Sequence, residues 1–165
     1  MQTVSISNIK KELQEKSLSE LVEYCLRIAK FKKENKELLH YLLFESFDEE
    51  NYIEELKNEV EMLFLEINLS SVYFAKKSIR RILRFASKHI KYSGLKQTEI
   101  ELLIHFCHQL RKLPLPYHES KVLINLYNRQ LLNIQKALNG INEDLRFDYQ
   151  SDLDEINKPL SKLMY

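Results

Sequence analysis

The chain has 165 residues, 30% of them charged, but only two glycines and three prolines, so it has little material for tight turns or phosphate-cradling glycine loops. Its net charge of +1 hides a segregation: residues 70–139 hold 13 basic and 3 acidic side chains, whereas the flanking stretches are acidic. No apolar run approaches the ~18 residues of a membrane-spanning helix. Two isolated cysteines do not form a disulfide framework, so we expect a cytoplasmic protein without membrane association.

Apolar residues spaced three and four apart predict helices through the first part of the chain. A short helix is expected from Asn8 to about Lys16 and a second over residues 19–31, followed by a polar break over residues 32–37. Two capping boxes, at Ser17–Glu20 and Ser46–Glu49, predict where later helices begin. The second of these opens a long acidic helix over residues 48–67.

The second part begins with a basic helix over residues 70–93, which we place at the centre of the fold and which Gly94 ends. A third capping box at Thr98–Glu101 opens the next helix. Two prolines in residues 113–116 then enforce an extended link. A helix over residues 117–139 follows.

The acidic tail over residues 142–165 is expected to form one or two short helices at the periphery of the fold. The predicted fold is therefore all-α, a single domain over residues 1–165 with six to eight antiparallel helices. Two arrangements are open: an irregular bundle, or a short HEAT-like helical-repeat array, since helix pairs recur about every 30–45 residues.

One stretch near the N-terminus resembles a known kind of protein. A Leu-Ser pair precedes an amphipathic helix, and an Asn-Lys-Glu-Leu turn starts the next one; the matching residues are Leu18, Ser19, Leu21, Asn35, Lys36, Glu37, Leu38 and Leu39. Over about 30 residues this pattern is similar to the opening of a family of uncharacterised bacterial all-helical proteins. The resemblance implies a helical fold and no particular chemistry.

The basic helix carries the strongest candidate site. Its exposed face is predicted to hold five cations and one aromatic side chain, namely Lys77, Arg81, Arg84, Lys88, Lys91 and Tyr73. Such a row could neutralise a nucleic-acid backbone while the tyrosine stacks on a base. Alternatively, the same cations pair with the acidic helix 48–67 in an antiparallel hairpin, with Arg81 and Arg84 nearest the acids.

A weaker candidate is a metal site. Glu101, His105 and His108 stand at i, i+4 and i+7 on the polar side of one helix, and a carboxylate with two imidazoles suits zinc or iron. No further ligand can be named, and Lys112 shares the face. Structural or solvated histidines are therefore favoured.

No nucleophile, Cys-x-x-Cys or phosphate-loop motif is present, so the sequence names no catalytic residue and no cofactor. We expect a non-enzymatic protein–protein interaction module whose partner is a protein. Nucleic-acid binding through residues 70–93 is the alternative, and a metal-dependent enzyme is the second alternative. The sequence leaves the oligomeric state open.

Overall fold

A computed structural model of the chain describes residues 4–117 and 120–160, which are helical throughout apart from short connections and contain no β-strand. The prediction of an all-α fold is confirmed. The chain divides into two compact units, Met1–Ser46 and Phe47–Tyr165. Two compact units can belong to one domain, so the single domain over residues 1–165 stays a prediction.

The N-terminal unit contains three helices, α1 (Ile6–Gln14), α2 (Leu18–Phe31) and α3 (Lys33–His40), and a π-helical turn at Tyr41–Glu45. Helices α2 and α3 pack against each other.

The capping box of α2 is present as predicted: Ser17 Oγ accepts from the Glu20 amide at 3.3 Å, and Glu20 accepts from the Ser17 amide at 2.9 Å. The predicted polar break over residues 32–37 is wrong. Only Lys32 is extended, because the charged residues that follow have good helix propensity and one extended residue suffices to redirect the chain.

The second unit contains six helices in its described residues: α4 (Glu49–Leu65), α5 (Val72–Ser93), α6 (Lys96–Lys112), α7 (Lys121–Leu138), α8 (Glu143–Asp148) and α9 (Gln150–Ile156). Helix α6 packs against α4, α5, α7 and α9. One helix in contact with four others defines an irregular bundle, since each unit of a repeat array contacts only its neighbours. With the N-terminal helices, the described part of the chain has nine helices, slightly more than predicted.

The central element is α6 and not the basic helix α5. Helix α6 buries nine of its residues, including Phe106, Cys107 and Leu110, whereas α5 buries only Ala75, Ile79, Ile82 and Ala86. The buried face of α5 is narrower than the helical periodicity predicts, because Phe74 lies on the apolar side of the pattern but is half exposed. Helix α5 nevertheless contacts two neighbours, α4 and α6.

Two predicted capping boxes are wrong because their hydroxyl groups bond elsewhere. Asp48 and not Ser46 caps α4, accepting from the Asn51 amide at 3.2 Å, while Ser46 donates to the Leu42 carbonyl. Helix α6 begins before Thr98, whose buried hydroxyl bonds to Glu49. A buried hydroxyl needs such a partner, so tertiary structure outweighs the local cap.

The C-terminal tail contributes to the core through α9 and Leu160. Leu153, Ile156 and Leu160 are buried, and the Tyr127 hydroxyl donates to the Ile156 carbonyl at 2.6 Å. Its two short helices, α8 and α9, match the prediction. Helix α8 has no buried residue and lies at the periphery as expected, but the expected peripheral position is wrong for residues 153–160. Residues 161–165 of the predicted tail, and residues 118–119 of the predicted helix 117–139, lie outside the described residues. Among the helices that are described, none has the length and apolar character needed to cross a membrane.

Candidate nucleic-acid interface

Helix α5 is oriented by its buried stripe. Ala75, Ile79, Ile82 and Ala86 are fully buried at spacings of four and three, so they fix the rotation of the helix about its axis. Ser71 caps its first turn by accepting from the Phe74 amide. The charged residues consequently lie on the opposite, solvent-facing side.

The residues predicted for this face lie where the sequence placed them. Lys77, Arg81, Arg84 and Lys91 are exposed, and Tyr73 is 68% exposed. Two further cations, Arg80 and Lys76, lie on the same helix, the first exposed and the second half-buried.

Lys88 differs from the other cations on the face. It is half-buried, and its Nζ lies 5.9 Å from the centre of the Phe85 ring and 5.8 Å from that of Tyr92. Cation–π attraction therefore accounts for part of its environment. The four other cations predicted for this face make the more accessible surface.

The predicted antiparallel hairpin of α4 and α5 is present. The Tyr52 hydroxyl lies 2.8 Å from His89 Nδ1, and Ser93 Oγ donates to Glu49 at 2.5 Å. Both contacts join the start of α4 to the end of α5, as antiparallel neighbours require. The short turn at residues 66–71 enforces this geometry.

The predicted ion pairing within that hairpin is wrong. Among the described residues, no carboxylate lies within 4 Å of the guanidinium of Arg81 or Arg84. Each buried aliphatic side chain stabilises the fold by roughly 1.5–3 kcal/mol, whereas an exposed ion pair contributes only ~0.2–1 kcal/mol. Apolar packing therefore sets the rotation of both helices, and the charged faces point into solvent.

Helix α7 extends the basic surface, which the sequence analysis missed. It carries Lys121, Arg129 and Lys136, all exposed, and neither α5 nor α7 contains an acidic residue. The two helices together hold ten basic side chains. The signal was available: every acid within residues 70–139 falls outside the stretches that become α5 and α7.

The acids of the intervening helix α6 form ion pairs. Glu99 pairs with Lys96 at 2.7 Å, and Glu101 pairs with Lys57 of α4 at 2.8 Å. These partners lie outside α5 and α7, so Glu99 and Glu101 pair with no basic side chain of those two helices.

The predicted metal ligands Glu101, His105 and His108 do not form a metal site. Glu101 is held by Lys57 and Gln97, and His108 lies 3.2 Å from Asp152. Within residues 4–117 and 120–160, no three His, Cys, Asp or Glu side chains are grouped to hold a metal ion. A small cleft of about 180 Å³ lies beside these residues.

Ionisation in this cleft is typical of a structural ion pair. Burial opposes the charge on Glu101, but hydrogen bonds from Lys57 and Gln97 outweigh burial and lower its pKa. Burial likewise opposes the charge on Lys57, but its bonds to Glu101 and Glu54 raise its pKa. Burial lowers the pKa of His105 and raises that of Tyr149 to about 12. Glu101 and Lys57 are therefore charged near neutral pH, unlike a general acid or base tuned to about pH 7.

The fold and this site define an all-helical protein with a solvent-facing basic surface. No protein-family model, curated protein or solved structure matches the chain. The resemblance of the N-terminal stretch to a bacterial family thus stays a prediction.

Proposed function

We propose that the protein binds nucleic acid through the basic surface of α5 and α7. The observation that supports this most strongly is that ten basic and no acidic side chains lie on these two helices. Arg81 and Arg84, expected to be paired within the protein, are exposed and have no carboxylate partner among the described residues. A ligand that supplies repeated negative charge along an extended line suits such a surface.

The spacing of the cations fits a phosphate backbone. Lys77, Arg81, Arg84 and Lys91 span about four turns of helix, or roughly 20 Å at 1.5 Å per residue. Phosphates along one strand of a duplex are about 3.4 Å apart along its axis, so one face of α5 can contact several of them. Arginine adds bidentate contacts to phosphate oxygens, and Tyr73 offers an exposed ring for stacking.

The test is a double charge reversal. Arg81→Glu with Arg84→Glu should reduce the affinity for a fluorescent RNA or DNA strand of about 20 nucleotides by at least about tenfold, because two phosphate contacts become repulsive. Fluorescence anisotropy measures the affinity. The matched control, Lys30→Glu with Lys36→Glu, makes the same change in net charge on exposed lysines of the N-terminal unit.

Equal losses in the two variants would show that net charge alone governs binding and would contradict a site on α5. Absence of saturable binding by the unmodified chain to both RNA and DNA would contradict the proposed function itself.

A second candidate function, protein–protein interaction, is favoured by the N-terminal unit. Of the described residues 4–46, only Tyr41 is buried. Thirteen large apolar side chains of this unit are between 37% and 82% exposed. They are Val4, Ile6, Ile9, Leu13, Leu18, Val22, Tyr24, Leu26, Ile28, Phe31, Leu42, Leu43 and Phe44.

We propose that this surface binds a second copy of the chain. Three of the thirteen are aromatic side chains, which bury about 150–250 Å² each, and the other ten are aliphatic. The exposed apolar area is therefore of the same order as the roughly 800 Å² that each partner of a typical dimer buries. Residues 1–46 hold eight basic and seven acidic side chains, so two copies would not repel each other.

Self-association is tested by mass. The unmodified chain should sediment as a dimer at micromolar concentration, twice its 19.8 kDa, and Leu26→Glu with Phe31→Glu should sediment as a monomer. Arg27→Glu is the control, since it adds an acid to the same helix without removing an apolar side chain. A monomeric unmodified chain would contradict this proposal and indicate that another occupant covers the surface.

A further inference from the structure

A groove of about 500 Å³ lies between α5 and α7, beside the exposed face described above. Leu83, Val122 and Leu126 contribute apolar surface to it. Arg80 from α5 and Arg129 from α7 are the charged residues of its lining. The volume falls within the range of about 300–1,000 Å³ typical of small-ligand sites.

Part of the polar lining is already satisfied within the protein. The Gln130 amide donates to the Leu126 carbonyl at 3.0 Å and accepts from Asn133 at 3.3 Å. These bonds hold Gln130 in place and leave it little capacity for a ligand.

Other polar groups of the groove are available. Within residues 4–117 and 120–160, the side chains of Arg80, Asn125 and Arg129 form no hydrogen bond or ion pair with the protein. Two arginines and one asparagine without partners among the described residues therefore belong to the lining of one concave space.

This combination suits a nucleotide. A guanidinium binds phosphate oxygens through two parallel hydrogen bonds. An asparagine amide offers both a donor and an acceptor, as the edge of a nucleobase requires. Leucine and valine side chains can cover the apolar face of the base.

We propose that the groove accepts one unstacked nucleotide of a single-stranded nucleic acid, with its base beside Asn125 and its phosphate on Arg80 or Arg129. This inference rests on the proposed function and narrows its ligand to single strands. A duplex keeps its bases stacked and paired, and extruding one costs a few kcal/mol. The groove therefore discriminates against duplexes, which the exposed face of α5 alone would not do.

The experiment compares a labelled single strand of about 20 nucleotides with the duplex of the same sequence, using whichever of RNA and DNA binds more tightly. The single strand should bind at least about tenfold more tightly than the duplex. Asn125→Ala should remove most of this preference and leave duplex affinity unchanged. The matched control is Asn128→Ala, an exposed asparagine of the same helix that does not line the groove.

Each outcome distinguishes the two proposals. Equal affinity for strand and duplex, or equal effects of Asn125→Ala and Asn128→Ala, would overturn the groove inference while the proposed function stands. Failure to bind either oligonucleotide would overturn both. Competition with free adenosine monophosphate tests whether the ligand of the groove is a strand or a free nucleotide. Displacement of the strand by an equal concentration of nucleotide would overturn the inference and indicate a free nucleotide.

Discussion

The ion pair between Lys57 and Glu101 is a contact between single residues that the local sequence does not predict. Glu101 stands where a capping box and a metal ligand were both predicted, yet its carboxylate accepts from Lys57 at 2.8 Å and from Gln97 at 3.0 Å. Lys57 is the only basic residue in the acidic stretch 48–67. Its partner lies 44 residues away in sequence, so helical spacing could not reveal the pair.

This pair predicts a pH dependence of stability. The folded pKa of Glu101 lies below its ordinary 4.5. Its stabilising effect is therefore fully present above about pH 4.5 and is lost as the pH falls through the folded pKa. Glu101→Gln should lower the free energy of unfolding by about 1–2 kcal/mol near neutral pH, because a charged hydrogen bond is lost.

Urea unfolding across a range from neutral to acid pH measures this effect. The difference between the unmodified chain and Glu101→Gln should shrink as the pH falls below 4.5. Glu59→Gln, which alters an exposed acid of α4, should show no comparable trend. If the difference in free energy of unfolding stayed constant as the pH fell below 4.5, the effect of Glu101→Gln would be due to packing and not to charge.

At the scale of single helices, the sequence predicted well what is decided locally. The capping box of α2 and the left-handed Gly94 after α5, with φ of +70°, are both present. The outward face of α5 was also predicted, because helical periodicity alone separates Lys77, Arg81 and Arg84 from the apolar side.

What the sequence could not decide was how the helices pack. Charge complementarity suggested that α5 turns Arg81 and Arg84 toward α4, but burial of Ile79 and Ile82 sets the rotation instead. The groove could not be predicted for the same reason, since Arg80 and Arg129 are 49 positions apart in sequence and come together only in the folded bundle.

A stability comparison tests this ranking of forces. Ile79→Ala should lower the free energy of unfolding by about 2–5 kcal/mol, because it removes a fully buried side chain. Arg81→Glu with Arg84→Glu should change it by less than about 0.5 kcal/mol, as surface substitutions without partners do. Chemical denaturation monitored by circular dichroism measures both values. If the arginine variant were destabilised by more than about 1 kcal/mol, the result would support ion pairing of Arg81 and Arg84 within the hairpin.

At the scale of the whole molecule, the charge segregation of the sequence becomes a difference between surfaces. The positive stretch 70–139 contains α5 and α7, which hold ten cations and no acid, while every acid of α4 except Glu49 is exposed. The N-terminal unit has nearly balanced charge and an exposed apolar surface. Each of the two units therefore offers a different kind of surface, one suited to phosphates and the other to a second copy.

The salt dependence of binding tests the central claim, that the basic surface of the second unit binds nucleic acid, most directly. The affinity for a single strand of about 20 nucleotides is measured between about 50 and 200 mM salt. If about five exposed cations contact phosphates, log K should fall against log salt concentration with a slope near −3.5, from about −0.7 for each contact. Arg81→Glu with Arg84→Glu should make the slope shallower by at least about 1.4, two contacts' worth. Binding that is independent of salt, or a slope that the arginine variant leaves unchanged, would contradict the account.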